Sequence, residues 1–119
     1  MKSKLTSFTQ LAAWKEGHKL VLLVYKAIKK FPQRERFGLS NQMTRAAVSI
    51  TSNIAEGFAR RSIKEKKQFY FTAKASLVEL QNQLIIARDI GYLKTSEFNI
   101  LAEQTVIAHK LLNGLIRGI

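Results

Sequence analysis

Residues 43–61, MTRAAVSITSNIAEGFARR, decide the fold. Met43, Ala46, Ala47, Ile50, Ile54 and Gly57 fall at i, i+3, i+4, i+7, i+11 and i+14. That is the apolar seam of an amphipathic helix, not the alternation of a strand. Yet Asn53, Glu56 and Gly57 interrupt the lower half of the seam, and Arg60 and Arg61 close it. Glycine alone costs about 1 kcal/mol against alanine in a helix interior. The interruption needs a reason, either in packing or in binding.

Working outward, Gly38-Leu39-Ser40 opens this helix, expected over 40–59. Downstream, Ser62-Ile63-Lys64-Glu65 fits a capping box, with the serine at the N-cap and the glutamate reaching back to it. The helix it starts, expected over 63–90, carries Phe69, Ala73, Leu77, Leu80, Leu84 and Ala87 and stops at Gly91, where a C-terminal glycine belongs. Upstream, Trp14, Gly17, Val21, Val24, Ile28 and Phe31 mark a helix over 11–31 that Pro32 ends. Phe98, Leu101, Thr105, Ala108, Leu112 and Leu115 mark a last helix over 96–116. Residues 1–10 read as a short basic arm. No segment alternates with period two. The expected fold is all-α, an up-and-down antiparallel four-helix bundle forming one domain over 1–119.

With 119 residues the chain can bury one core. It has no cysteine, which excludes disulfides, thiolate metal sites and cysteine nucleophiles. The N-terminus lacks the apolar region of a signal peptide, and the longest apolar run, Leu20–Tyr25, is too short to span a bilayer. A soluble, cytoplasmic protein is expected. Net charge is +12, and residues 1–37 hold nine basic against two acidic side chains. Such an excess steers a protein towards polyanions, nucleic acid or an acidic membrane surface.

On the helical wheel, Lys15, Lys19, Lys26, Lys29 and Lys30 share an arc of about 100° opposite the first seam. On the third helix Lys67, Lys74 and Arg88 stand at heptad spacing, with Gln81 filling the gap. One such row is ordinarily a solvated face. Two rows and a charge of +12 exceed what solubility requires and mark candidate phosphate contacts. Apolar residues are also in surplus. Ile100, Ile107 and Leu111 form a stripe away from the fourth seam, and Leu20 and Leu22 lie off the first. Extra stripes of this kind predict a homo-oligomer interface. A basic amphipathic surface for anionic lipid is the lesser alternative.

Catalysis needs a constellation that is missing here. His18 and His109 lie near the middles of the first and last helices, but two ligands do not make a metal site, and the Glu-x-x-His pairs of di-iron bundles are absent. There is no phosphate-binding P-loop, no Gly-x-Ser-x-Gly and no His-Glu-x-x-His. Glu56 and Glu79 have no nucleophile to serve. A non-enzymatic protein with neither cofactor nor metal is expected.

The string from Phe37 to Ser62, FGLSNQMTRAAVSITSNIAEGFARRS, carries a resemblance. It is similar to the four-helix-bundle proteins encoded in intervening sequences of bacterial large-subunit ribosomal RNA genes. A related branch is the accessory variability protein of diversity-generating retroelements. The matching residues are Phe37, Gly38, Leu39, Gln42, Arg45, Ala46, Ser49, Ile50, Asn53, Ile54, Ala55, Glu56, Gly57 and Arg60. The Phe31-Pro32 stop, Ser76-Leu77-x-Glu79-Leu80 and Gly91-Tyr92-Leu93 match as well. Thr51 and Ala75 depart from the pattern, where many members have proline and glycine. The resemblance implies a small basic bundle assembling as a homopentamer, without catalytic residues. It further implies binding to nucleic acid (RNA or DNA) and, in the retroelement branch, to a reverse transcriptase.

The polar insertion then has two readings. Arg45, Ser49, Ser52, Asn53, Glu56 and Arg60 share one arc beside the seam. In the structural reading Arg45 pairs with Glu79, Ser49, Asn53 and Glu56 complete a polar network, and Gly57 admits a neighbouring helix. In the binding reading Arg45, Arg60 and Arg61 face phosphate and Asn53 reads a base or sugar. Glu56 favours the first, since a carboxylate repels phosphate. Arg60 and Arg61, at the helix end, remain candidate contacts under either. The expected function is an oligomeric nucleic-acid binder; the alternative is a protein-interaction adapter for a nucleoprotein enzyme such as a reverse transcriptase.

Overall fold

The computed structural model describes residues 5–119; the expected arm is therefore seen only from Leu5 onward. Its four long helices are α1 (Ala12–Ile28), α2 (Leu39–Ala59), α3 (Ile63–Asp89) and α4 (Thr95–Arg117). There is no strand among the described residues. α1 packs against α2 and α4, and α3 packs against the same two, so α1 and α3 lie diagonally across a bundle of 50 × 25 × 19 Å. This is the four-helix bundle read from the periodicity.

The helix ends follow local chemistry. Before Pro32 the chain cannot continue as α-helix, and α1 tightens, with Lys30 N–H donating to Ala27 and Phe31 N–H to Ile28. The expected end at 31 therefore retracts to Ile28. Ser62 Oγ accepts from Glu65 N–H at 3.1 Å, one half of the expected capping box. Glu65 does not reach back to Ser62; a bond of that kind forms instead at α4, where Glu97 Oε1 accepts from Lys94 N–H at 2.9 Å. Gly91 ends α3 at φ +88°, and Tyr92 N–H reaches back to Ala87 at 2.8 Å in a Schellman closure. Ahead of α1, Ser7 caps a single 3-10 turn over Phe8–Gln10. Phe8 packs its edge on Trp14 at 5.4 Å, so the expected arm is docked from Ser7 onward.

Every residue of the α2 seam is buried, as are Ala73, Leu77, Leu80, Leu84 and Ala87 of α3 and Leu101, Thr105, Ala108 and Leu112 of α4. Two seams are rotated from their expected lines. On α1 the buried set is Ala13, Gly17, Leu20 and Val24, with Trp14, Val21 and Ile28 at its margin. At the start of α3 it is Tyr70, not Phe69, that enters the core. Both rotations have one cause. Gly57 leaves room on α2 for the ring of Tyr70, and Gly17 likewise brings α1 onto Thr51.

Few polar groups cross the seams and most are bonded, although Gln83 Oε1 and His109 Nε2 are buried without a hydrogen-bond partner among the described residues. Ser49 Oγ and Ser76 Oγ lie 2.8 Å apart between α2 and α3. Gln81 donates to Thr105 at 3.1 Å between α3 and α4, and Gln104 to the Glu16 carbonyl at 2.8 Å between α4 and α1. At the loop end, Tyr92 O–H donates to Glu35 Oε2 at 2.7 Å and Glu35 Oε1 accepts from Leu39 N–H. That carboxylate ties the α3–α4 loop to the start of α2. Its two bonds hold its pKa below the ordinary 4.5, and the same contact raises that of Tyr92.

Candidate nucleic-acid interface

The two basic rows lie on different sides of the bundle because α1 and α3 are diagonal. On α1, Lys15, Lys19, Lys26, Lys29 and Lys30 are all exposed. Lys19 pairs with Glu16 at 3.1 Å and Lys30 with Glu97 at 3.0 Å. Both lysines remain mostly solvated, and exposed pairs of this kind are weak. Lys15, Lys26 and Lys29 enter no ion pair among the described residues.

The α3 row turns towards α4 instead of outward. Gln81 within it bonds Thr105, Lys74 is half-buried, and Arg88 lies 4.4 Å from the centre of the Phe98 ring while bonding Asp89 at 2.9 Å. Only Lys67 stands fully exposed without an ion pair among the described residues. At the α2 end, Arg60 bonds Glu56 at 3.0 Å and covers the Phe69 ring at 4.7 Å. Arg61 is exposed.

The proposed polar network divides into separate pieces. Asn53 Nδ2 donates to the Ser49 carbonyl at 2.8 Å and to Ser49 Oγ at 3.1 Å, which carries the network to Ser76. Glu56 turns to Arg60, and Glu79 accepts from Gln83 on its own helix at 3.4 Å. The expected Arg45–Glu79 pair does not form. Arg45 is exposed and lines a hollow with Tyr25 of α1, Val48 and Ser52, about 40° on the wheel from Ser49, which bonds α3.

Of the expected interface residues, Leu20 is wholly buried at 0% exposure and belongs to the core. Leu111 is half-buried against it. Leu22, Ile100 and Ile107 are exposed, at 58%, 56% and 42%. Ile100 and Ile107, seven residues apart, share one face of α4. Ile100 borders the α1–α4 groove, and Leu22 lies on α1 between Lys26, which lines that groove, and Tyr25, which lines the α1–α2 groove. A further exposed stripe, Phe71, Val78 and Ile85 at heptad spacing on α3, was not anticipated, although its seven-residue interval is legible in the sequence.

His18 stacks on Trp14 at 4.8 Å, and His109 is half-buried on α4. No three His, Asp or Glu side chains come together in a metal-binding group among the described residues. Nor is any described helix long and apolar enough to cross a membrane.

One cation works for the fold. Lys66 Nζ donates to the carbonyls of Phe58 at 2.8 Å and Gly57 at 3.2 Å, closing the C-terminus of α2. A lysine there also complements the negative end of the helix dipole. Its position within α3 gave no sign of this, since the contact runs back across the Arg60–Ser62 turn.

The model of the 23S rRNA-intervening sequence protein family matches residues 9–114, nearly the whole bundle. The chain belongs to that family. A solved structure agrees: a protein of unknown function of the S23 ribosomal protein family from Bacteroides thetaiotaomicron superposes with a TM-score of 0.81 at 18% identity. The match covers 88% of this chain and 95% of that one, and at this identity the likeness speaks for the fold. Among curated proteins, none matches the chain. The matched span contains both the α1 lysine row and the Asn53–Gly57 insertion.

Proposed function

We propose that this family member is a non-catalytic, oligomeric protein of the cytoplasm that binds RNA or DNA phosphates through the outer face of α1. The observation carrying this reading is the exposed row of Lys15, Lys26 and Lys29, unpaired among the described residues, in a chain of net charge +12. Its family's link to a ribosomal RNA intervening sequence favours RNA. Contacts of this type position a protein on the backbone and read little sequence.

The test is fluorescence anisotropy across a salt titration. Each neutralised phosphate contributes about −0.9 to the slope of log affinity against log salt on a duplex. Replacing Lys15, Lys26 and Lys29 together by glutamine should flatten that slope by about 2–3 units. The pair Lys67→Gln/Lys74→Gln, on the half-packed row, should change it by less. A slope near zero for the unaltered protein, or unchanged by the α1 substitutions, refutes the reading.

Exposed Leu22, Ile100, Ile107, Phe71, Val78 and Ile85 support self-association, with a pentamer as the assembly the resemblance suggests. Native mass spectrometry reads the copy number directly. The same apolar surface also supports the second reading, an adapter docking on a nucleoprotein enzyme such as a reverse transcriptase. A protein partner retained after nuclease treatment would favour the adapter.

A further inference from the structure

Between α1 and α2 runs a groove that has Lys29 in common with the α1 lysine row. It holds two adjoining hollows, of about 380 and 410 Å³, that share Tyr25, Asn41 and Thr44 as a common wall. Both are shallow and open to solvent along the groove. Tyr25 is 48% exposed at this wall and presents its ring to solvent instead of joining the core. Lys29 and Arg36 border the first hollow, and Arg45 borders the second.

Charge in the groove is of one sign. Neither hollow is lined by a carboxylate. Lys29, Arg36 and Arg45 enter no ion pair among the described residues, unlike Lys19, Lys30, Arg60 and Arg88 elsewhere on the surface. Exposed Asn41 and Ser52 add an amide and a hydroxyl between these cations. At the outer end Phe37 is 86% exposed, with the Arg36 guanidinium 5.4 Å from its ring centre. An aromatic ring flanked by unpaired cations and neutral hydrogen-bonding groups matches a nucleotide: a flat base, an anionic phosphate and a sugar.

We propose that the α1–α2 groove is a binding site for single-stranded nucleic acid, with an unstacked base on Tyr25 and the adjoining phosphates on Lys29, Arg36 and Arg45. This rests on the nucleic-acid reading above and adds to it the strandedness of the ligand. A duplex keeps its bases stacked inside and offers none to a hollow between two helices. A single strand exposes the π-face of every base, and stacking on an aromatic side chain tolerates any sequence. An anionic lipid headgroup would meet the cations but leave the Tyr25 ring without a partner.

The experiment compares a fluorescein-labelled oligouridylate with a labelled RNA hairpin stem by anisotropy, using the full chain. Tyr25 is half-exposed, so its replacement leaves the core intact; circular dichroism melts verify this for each variant. Tyr25→Ala should weaken oligouridylate binding roughly ten-fold or more, while Tyr25→Phe retains it and hairpin binding changes little. Arg45→Gln should reduce the oligouridylate salt slope by roughly 0.7. If the unaltered protein binds oligouridylate and Tyr25→Ala binds it equally well, the groove is not the site, although the nucleic-acid reading stands. If neither probe binds, that reading itself fails and takes the groove with it. If Tyr25→Ala lowers binding only together with a change in oligomer mass, the groove is a subunit contact and the proposal is overturned.

Discussion

Gly57→Ala tests the packing that explains the interrupted seam of α2. In an isolated helix the change stabilises by about 1 kcal/mol, because alanine is the better helix former. Here a methyl group at position 57 would lie 2.5 and 2.8 Å from Cε1 and Cδ1 of Tyr70 and 3.1 Å from Cβ of Phe69. Tyr70 is buried and its ring cannot swing into solvent without opening the α2–α3 contact. Overpacking of this kind costs about 1–3 kcal/mol, which cancels the propensity gain or exceeds it. The net expectation is a loss of up to about 2 kcal/mol, or several degrees in melting temperature for a domain of this size. Gly114→Ala is the internal control. That glycine lies in the last turn of α4 with open space where a methyl group would sit, so the same substitution should stabilise by up to about 1 kcal/mol. Urea denaturation of both variants at matched protein concentration gives the comparison. Equal stabilisation by the two changes would refute the argument that Gly57 exists to admit Tyr70.

Acid should loosen the loop end of the bundle. The bonds to Tyr92 and Leu39 hold the Glu35 carboxyl below its ordinary 4.5, and hydrogen bonds do the same for Glu16 and Glu97. A depressed carboxylate contributes stability above its unfolded pKa and loses it as pH falls through the folded one, so melting temperature should drop below about pH 4.5. Tyr92 has the opposite sign: its raised pKa contributes below 10.0 and is lost as pH climbs through the folded value. Tyr92→Phe should remove the Glu35 share of the acid transition, and an unchanged acid profile would count against the contact. In the insertion, Asn53→Ala should cost about 1 kcal/mol by stripping the bonds to Ser49, while Glu56→Ala, whose pair with Arg60 is exposed, should cost a few tenths. Loss of RNA binding by either at unchanged stability and assembly would return Asn53 and Glu56 to the binding reading.

What could be read in the chain depended on how local each contact is. The α2 seam was legible because six apolar positions at helical spacing admit one buried face, and all six are buried. Ser62 and Gly91 were legible because a serine before a helix and a glycine after one act within a single turn. Leu20 was misplaced for the opposite reason. On the wheel it lies next to Gly17 and Val24, and only the approach of α2 over glycine rotates the α1 seam towards it. Arg45 was misassigned because its level along α3 can be counted while its direction cannot. A few tens of degrees of rotation separate a partner on α3 from a groove shared with α1.

By itself, then, the sequence determined the number of helices, most of their ends, the buried face of α2 and a surplus of positive charge. Each follows from periodicity or from chemistry within a turn. Only the tertiary structure decided that the two basic rows lie on diagonal helices, that the α3 row is half-packed against α4, and that Tyr25 meets Arg45 across a groove. Those are relations between helices. They depend on how far one glycine lets a neighbour approach and how each helix is turned about its axis, and neither quantity is written in the spacing of residues along a chain.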